Sequence, residues 1–134
     1  MGDSVSCTSL ENYQVQVRTA THSWIADEPP KNNGDGLGPN PFELLLGGLG
    51  SCTAITVVYY AGQAGIPLEK IWVDIEDDLA KSNGKEEYSI TVRIRVRGDL
   101  SEKHVERLKR AASRCPVKKV LEHGATIETE IERV

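Results

Sequence analysis

Residues 40–65 read NPFELLLGGLGSCTAITVVYYAGQAG, and their pattern decides the fold. Asn40 suits a helix cap, Pro41 the first helical position, and Glu43 the reciprocal place of a capping box. At the far end Gly65 stops the pattern and Pro67 follows just beyond it. The stretch therefore predicts a helix from Pro41 to about Ala64. Leu44 to Ala61 contains no charged residue, a length that meets the threshold for a membrane span. Gly47, Gly48, Gly50, Ser51, Thr53 and Thr56 interrupt that run, so a fully buried helix of a soluble protein is the better reading.

Phe42, Leu44, Leu45, Leu46, Leu49, Ile55, Val57 and Val58 surround most of the helix circumference. A chain of 134 residues with one layer of sheet would struggle to cover them. Each interior glycine costs about 1 kcal/mol relative to alanine, so Gly47, Gly48 and Gly50 imply close approach of another backbone. An obligate homodimer is the expectation.

On the N-terminal side, residues 1–10 are Ser-rich and weakly patterned, which predicts a loose arm ahead of a single domain over 11–134. Tyr13, Val15 and Val17 alternate with Gln14, Gln16 and Arg18, the period of a half-buried strand. A second strand runs through Trp24 and Ile25 until Asp27-Glu28-Pro29-Pro30 ends it. KNNGDGLGP, residues 31–39, is a loop. On the C-terminal side, Ile71, Val73 and Ile75 mark a strand, and Asn83-Gly84 a hairpin turn. Tyr88, Ile90, Val92, Ile94 and Val96 mark its return. Arg93, Arg95 and Arg97 fall on the other face, as a solvated row opposite Asp74, Glu76 and Asp78. A helix opens at Asp99-Leu100-Ser101-Glu102, Pro116 restarts it after Cys115, and Gly124 closes the last turn. Thr126–Glu132 then alternates as a final strand. The order ββ-α-ββ-α-β describes an α+β fold with a long helix against antiparallel sheets.

Sixteen Lys and Arg against twenty Asp and Glu give a net charge of −4, which argues against nucleic acid as a partner. Three cysteines are too few for a secreted disulfide scaffold. No signal segment opens the sequence, so a cytoplasmic protein without a membrane span is expected. His22, His104 and His123 lack zinc-like spacing, so no metal is expected. GDGLGP, residues 34–39, lacks the strand, helix and lysine of a phosphate loop.

Cys52 lies mid-helix, where a thiolate gains nothing from a helix N-terminus. In isolation such a residue is a small hydrophobe unless a cation or donor arrives from elsewhere. Cys115 precedes Pro116 and the start of a helix, where partial positive charge assists a thiolate. The two could meet across the core, and spacing alone leaves that open. Cys7, in the arm, is a bystander.

Asp27 to Ala61, DEPPKNNGDGLGPNPFELLLGGLGSCTAITVVYYA, resembles the signature of the OsmC/Ohr family of osmotically inducible and organic-hydroperoxide-resistance proteins. Ala111–Leu121, AASRCPVKKVL, resembles that family's segment around its second cysteine. The resemblance covers about residues 11–134. It implies an interlaced homodimer, with long central helices between β-sheets and active sites at the dimer interface. The implied activity is thiol-dependent reduction of organic hydroperoxides, with hydrogen peroxide as a lesser substrate. Cys52 would be the peroxidatic residue and Cys115 the resolving one, with no cofactor beyond an external thiol or dithiol reductant. Leu45, Leu49, Ile55 and Tyr59 would line an apolar substrate pocket.

The family's Ohr branch carries a Gly-Gly-Arg-Asp-Gly turn whose arginine contacts the peroxidatic thiolate, and this sequence lacks it. Arg18 is the nearest stand-in. That branch also has a carboxylate ten residues before the cysteine, where Phe42 stands here and Glu43 follows. Glu43 and Cys52 are about 13 Å apart along a helix axis and half a turn out of phase, so within one chain Glu43 caps the helix. Loss of the arginine turn gives a second reading: a catalytically weak relative that binds a hydrophobic or thiol ligand at the dimer interface.

Overall fold

The computed structural model describes residues 2–134, with the backbone alone at 81 and 82. Five strands and three α-helices follow in the order β1 (Ser6–Ser9), β2 (Val15–Arg18), β3 (Ser23–Ala26), α1 (Pro41–Ala64), β4 (Leu68–Ser82), β5 (Lys85–Gly98), α2 (Glu102–Ala112) and α3 (Pro116–His123). The fold is α+β with antiparallel sheets and a long helix, as the sequence predicts. Contacts divide the chain into two compact units, one up to Gly47 and one from Gly48 onward, and α1 runs through both.

In the first unit β1, β2 and β3 form an antiparallel sheet in that order. Ser6–Ser9 is a strand paired with Val15–Arg18, not part of a loose arm. Its polar residues show no alternation because the strand is an exposed edge. After β3, the segment to Asn40 is organised by Asp27, which is 2% exposed. One carboxylate oxygen accepts from the Glu28 N–H at 2.7 Å and the other from the Leu37 N–H at 3.2 Å. Asp27 also donates its own N–H to the Pro39 carbonyl. This loop packs so tightly that a Cβ at Gly38 would overlap the Ile25 carbonyl oxygen. It delivers the chain to α1, whose start is the capping box read from the sequence. Glu43 N–H donates to Asn40 Oδ1, and Asn40 N–H donates to Glu43 Oε1, both at 2.9 Å.

In the second unit β4 and β5 form a long hairpin through Asn83-Gly84, both at positive φ as a two-residue turn requires. Its outer face carries the arginine row, paired as Arg93–Glu76, Arg95–Asp74 and Arg97–Glu69. Salt-bridge distances of 3.3–3.5 Å at exposed positions make these a solvated charge ladder. Helix α1 buries Leu49, Thr53, Val57 and Ala61. The spacing of four puts them on one stripe. Val57 and Ala61 join Ile66, Leu108 and Ala112 in a core closed by Ile71 of β4 and Ile94 and Val96 of β5. Ser101 caps α2, and its hydroxyl accepts from the His104 N–H.

Two expectations are corrected. Helix α1 is long and apolar enough to cross a membrane by length and composition. It is not fully buried within this chain, since Ile55, Val58 and Tyr59 on the side away from the stripe are exposed. The predicted strand at Thr126–Glu132 is also absent, and Ile127 and Ile131 are exposed. A strand requires a neighbour's backbone to satisfy its N–H and C=O groups, and an alternating sequence cannot supply that neighbour by itself. Of Gly47, Gly48 and Gly50, only Gly50 meets a neighbour, since a Cβ there would press Ile75 Cδ1 at 3.2 Å. Gly47 and Gly48 meet nothing nearby.

Replacing Gly38 by alanine forces the 27–40 loop off the Ile25 carbonyl. Chemical denaturation of Gly38→Ala should show a loss of about 3 kcal/mol, whereas Gly47→Ala should leave stability unchanged or raise it slightly.

Candidate active site

Helix α1 and the α2–α3 junction bring Cys52 and Cys115 together. Cys52 sits one residue before Thr53 on the buried stripe and is partly exposed. Helix α2 stops at Ala112, and the chain turns through Ser113 and Arg114 to place Cys115 at the N-cap of α3. Pro116 forces this break, because it fits the first position of a new helix and not the interior of an old one. Cys115 is 0% exposed. Cys52 and Thr53 lie near enough to its thiol to favour the ionised form, so two thiols 63 positions apart in sequence come near one another. Both thiols are free.

The electrostatics favour negative charge at Cys115. Burial pushes its thiol up, but four donors act the other way and prevail, so it lies below the ordinary thiol value of 9.0. Those donors are the Cys52 thiol, the Lys118 N–H, the Thr53 hydroxyl and the Val117 N–H. The two amides are among the unpaired N–H groups that open any helix. They act as partial donors, since the Cys115 side chain makes no full capping bond. Thr53 Oγ1 also lies 2.8 Å from the Leu49 carbonyl oxygen.

About one turn of α1 from Cys52 and one turn of α3 from Cys115, a cavity of about 310 Å³ is lined by Leu49, Tyr88, Ile90, Val92, Lys118, Leu121 and Glu122. Lys118 Nζ and Glu122 Oε1 are 3.0 Å apart. Leu49 and Lys118 link the cavity to the thiols, through the Thr53 hydrogen bond and the Cys115 amide donor respectively.

Of the four apolar residues expected to line a substrate pocket, Leu49 lines this cavity. Ile55 and Tyr59 are 68% and 67% exposed, because helical phase turns them away from the 49–53–57–61 stripe. Leu45 belongs to the first unit and is partly exposed. Arg18 and Glu43 also belong to the first unit. Arg18 Nη2 donates to Gln16 Oε1 at 3.1 Å on the exposed end of β2, and Glu43 is held in its capping box. Thr53 is the residue that sequence reasoning missed as part of the site. Its position next to Cys52 was visible, but its approach to Cys115 depends on the break at Pro116.

No group of His, Cys, Asp and Glu suited to a metal ion occurs among the described residues. In comparison with known proteins, a family model described as OsmC-like protein matches residues 34–130. No curated protein matches the sequence. Among solved structures, an OsmC-like protein from Mycoplasma pneumoniae is 18% identical, with 91% of this chain and 88% of that one covered and a TM-score of 0.78. An organic hydroperoxide resistance protein OsmC from Legionella pneumophila, also described as a predicted redox protein, is 20% identical, with 90% and 89% covered and a TM-score of 0.70. A Vibrio cholerae protein, provisionally named for organic hydroperoxide resistance, has captopril bound in one of its active sites. It is 20% identical, with 88% and 83% covered and a TM-score of 0.65.

The nearness of the two thiols has two measurable consequences. Mild oxidation with diamide should link Cys52 to Cys115 within one chain and leave Cys7 free, as read by peptide mapping of the intact-mass product. A thiol whose folded-state pKa is depressed binds fewer protons folded than unfolded. The stability of the reduced protein should therefore rise with pH toward 9.0 and decline as pH falls through the folded-state value. Urea denaturation across that range should show this slope, and Cys115→Ala should remove it. The match over residues 34–130 covers more than half of the sequence, and with the α+β architecture and the two motifs around Cys52 and Cys115 it makes this chain a member of the OsmC-like protein family.

Proposed function

We propose that the protein is a thiol-dependent peroxidase that reduces organic hydroperoxides, and hydrogen peroxide less well, as part of oxidative-stress defence. The observation that carries this reading is the nearness of Cys52 to Cys115. Cys52 is the partly exposed member of the pair, so it meets the substrate, and buried Cys115 waits behind it. Cys52 sulfur attacks the terminal peroxide oxygen, the O–O bond breaks, an alcohol leaves and a sulfenic acid remains. Cys115 then attacks that sulfur, water leaves and a disulfide closes. An external thiol or dithiol returns both residues to thiols, and no further cofactor enters.

The apolar cavity about one helical turn from each thiol suits an alkyl or aryl group on the peroxide, which is the physical basis for preferring organic substrates. The exposed Ile55, Val58 and Tyr59 on α1 support assembly as a homodimer. In this reading Glu43 fixes the start of the helix that carries Cys52. The captopril-bound relative favours a second reading, in which the site holds a thiol-containing or hydrophobic ligand and turns peroxide over weakly.

Peroxide consumption with dithiothreitol as reductant separates the two. The wild type should consume cumene hydroperoxide faster than hydrogen peroxide, and Cys52→Ser should reduce turnover at least a hundredfold. Cys115→Ser should complete one turnover and then accumulate over-oxidised Cys52, visible as added oxygen mass. Wild-type consumption no faster than that of Cys52→Ser would leave the ligand-binding reading in its place.

A further inference from the structure

We propose that residues 126–132 of a second copy add as a strand to the open edge of β5, with Ile127 and Ile131 facing the apolar cavities beneath that edge and Glu128, Glu130 and Glu132 beside its arginine row. This assembly requires the homodimer of the reading above and none of its peroxide chemistry.

The edge of β5 lacks a neighbour in its backbone, its inner face and its cavities. β4 and β5 form a two-stranded sheet, so from Ile90 to Arg97 the side of β5 turned away from β4 has no strand to pair with among the described residues. The inward residues Ile90, Val92, Ile94 and Val96 are only half-buried. Under them lie the cavity of about 310 Å³ already described and a second of about 250 Å³. From β5 the first takes Tyr88, Ile90 and Val92, and the second takes Val92, Ile94 and Val96. No described residue of β4 lines either cavity. Both therefore open on the side where one more strand would lie.

The C-terminal segment has the complementary pattern. Residues 125–134 pair with no described strand of their own chain, and Ile127 and Ile131 are 83% and 99% exposed. In a strand, Ile127, Thr129 and Ile131 share one face, and the three glutamates take the other. Ile127 and Ile131 are four positions apart, about 13 Å along a strand. The midpoints of the two cavities on β5, Ile90 and Ile94, are four positions apart as well. On the outer face Arg93, Arg95 and Arg97 recur at the same two-residue spacing as the glutamates. Each holds a β4 carboxylate at 3.3–3.5 Å, and a guanidinium with five N–H donors has room for a second. Either strand direction keeps both matches, because the alternation reads the same both ways.

A second copy is the occupant because edge and segment occur in one sequence, while the segment stands away from every described strand of its own chain. Ten residues follow Gly124, and they reach about 33 Å when extended. Two copies that exchange these segments about a twofold axis leave no β5 edge open. The cavity that lies about one helical turn from each thiol then takes its missing wall from an isoleucine of the second copy.

The test uses the full chain with Arg95→Lys, which keeps the charge and gives β5 an amine that a carbodiimide joins to an adjacent carboxylate. A link between position 95 and Glu128, Glu130 or Glu132 should appear in the band of twice the chain mass and be missing from the single-chain band. The double variant Ile127→Asp, Ile131→Asp should lower its yield about tenfold or more, since both anchors lose their apolar burial. The same link in the single-chain band would place the segment on its own edge and overturn the proposal, as would no link at all. If Arg95→Lys misfolds, Arg93→Lys carries the same comparison. Sedimentation separates this claim from the homodimer: a dimer without the link refutes the strand exchange alone, and a monomer refutes both. A wild type inactive toward peroxide refutes the peroxidase reading and leaves the link in place.

Discussion

The nearness of Cys52 to Cys115 is the constraint on which the proposed chemistry depends. It requires two independent pieces of backbone design. Helix α1 must hold residue 52 at the edge of its buried stripe, close enough to the interior to reach a partner and open enough to meet a substrate. The α2–α3 junction must break where it does, so that Cys115 sits at a helix start and not along a helix face. Either sulfur without the other would be a packing residue.

Burial and charge are divided between the two thiols in a way that neither residue shows alone. A sulfur with no exposure would resist ionisation if it were merely enclosed, since desolvation penalises the thiolate. Here donors among the enclosing groups outweigh that penalty, and the Cys115 thiol lies below its ordinary value. Part of that support comes from the Lys118 and Val117 amides, whose orientation is set when α3 forms. Apolar Leu49, Ile90, Val92 and Leu121 line a cavity that shares the helices carrying the two thiols.

Much of this architecture was legible in the sequence because local rules sufficed. The capping box at Asn40 and Glu43, the Asn83-Gly84 turn and the Pro116 restart each depend on residues within a few positions of one another, and each occurs as read. The final strand at Thr126–Glu132 and the full burial of α1 failed for the opposite reason. Both are statements about a neighbouring surface, which alternation and composition do not specify. The edge strand Ser6–Ser9 was hidden because exposed polar strands lack a period. The pairing of Cys52 with Cys115 came from resemblance, and the part played by Thr53 came from neither, since it needs the distance between two elements that meet only in the folded chain.

One measurement bears most directly on the central claim. Reduced protein is given limiting cumene hydroperoxide without any external thiol, and the cumyl alcohol formed is counted against the thiols lost from each chain. Joint action of the two sulfurs predicts one alcohol for every two thiols, both lost from the same chain. One alcohol for every single thiol lost, or losses falling on Cys7 and on links between chains, would contradict it.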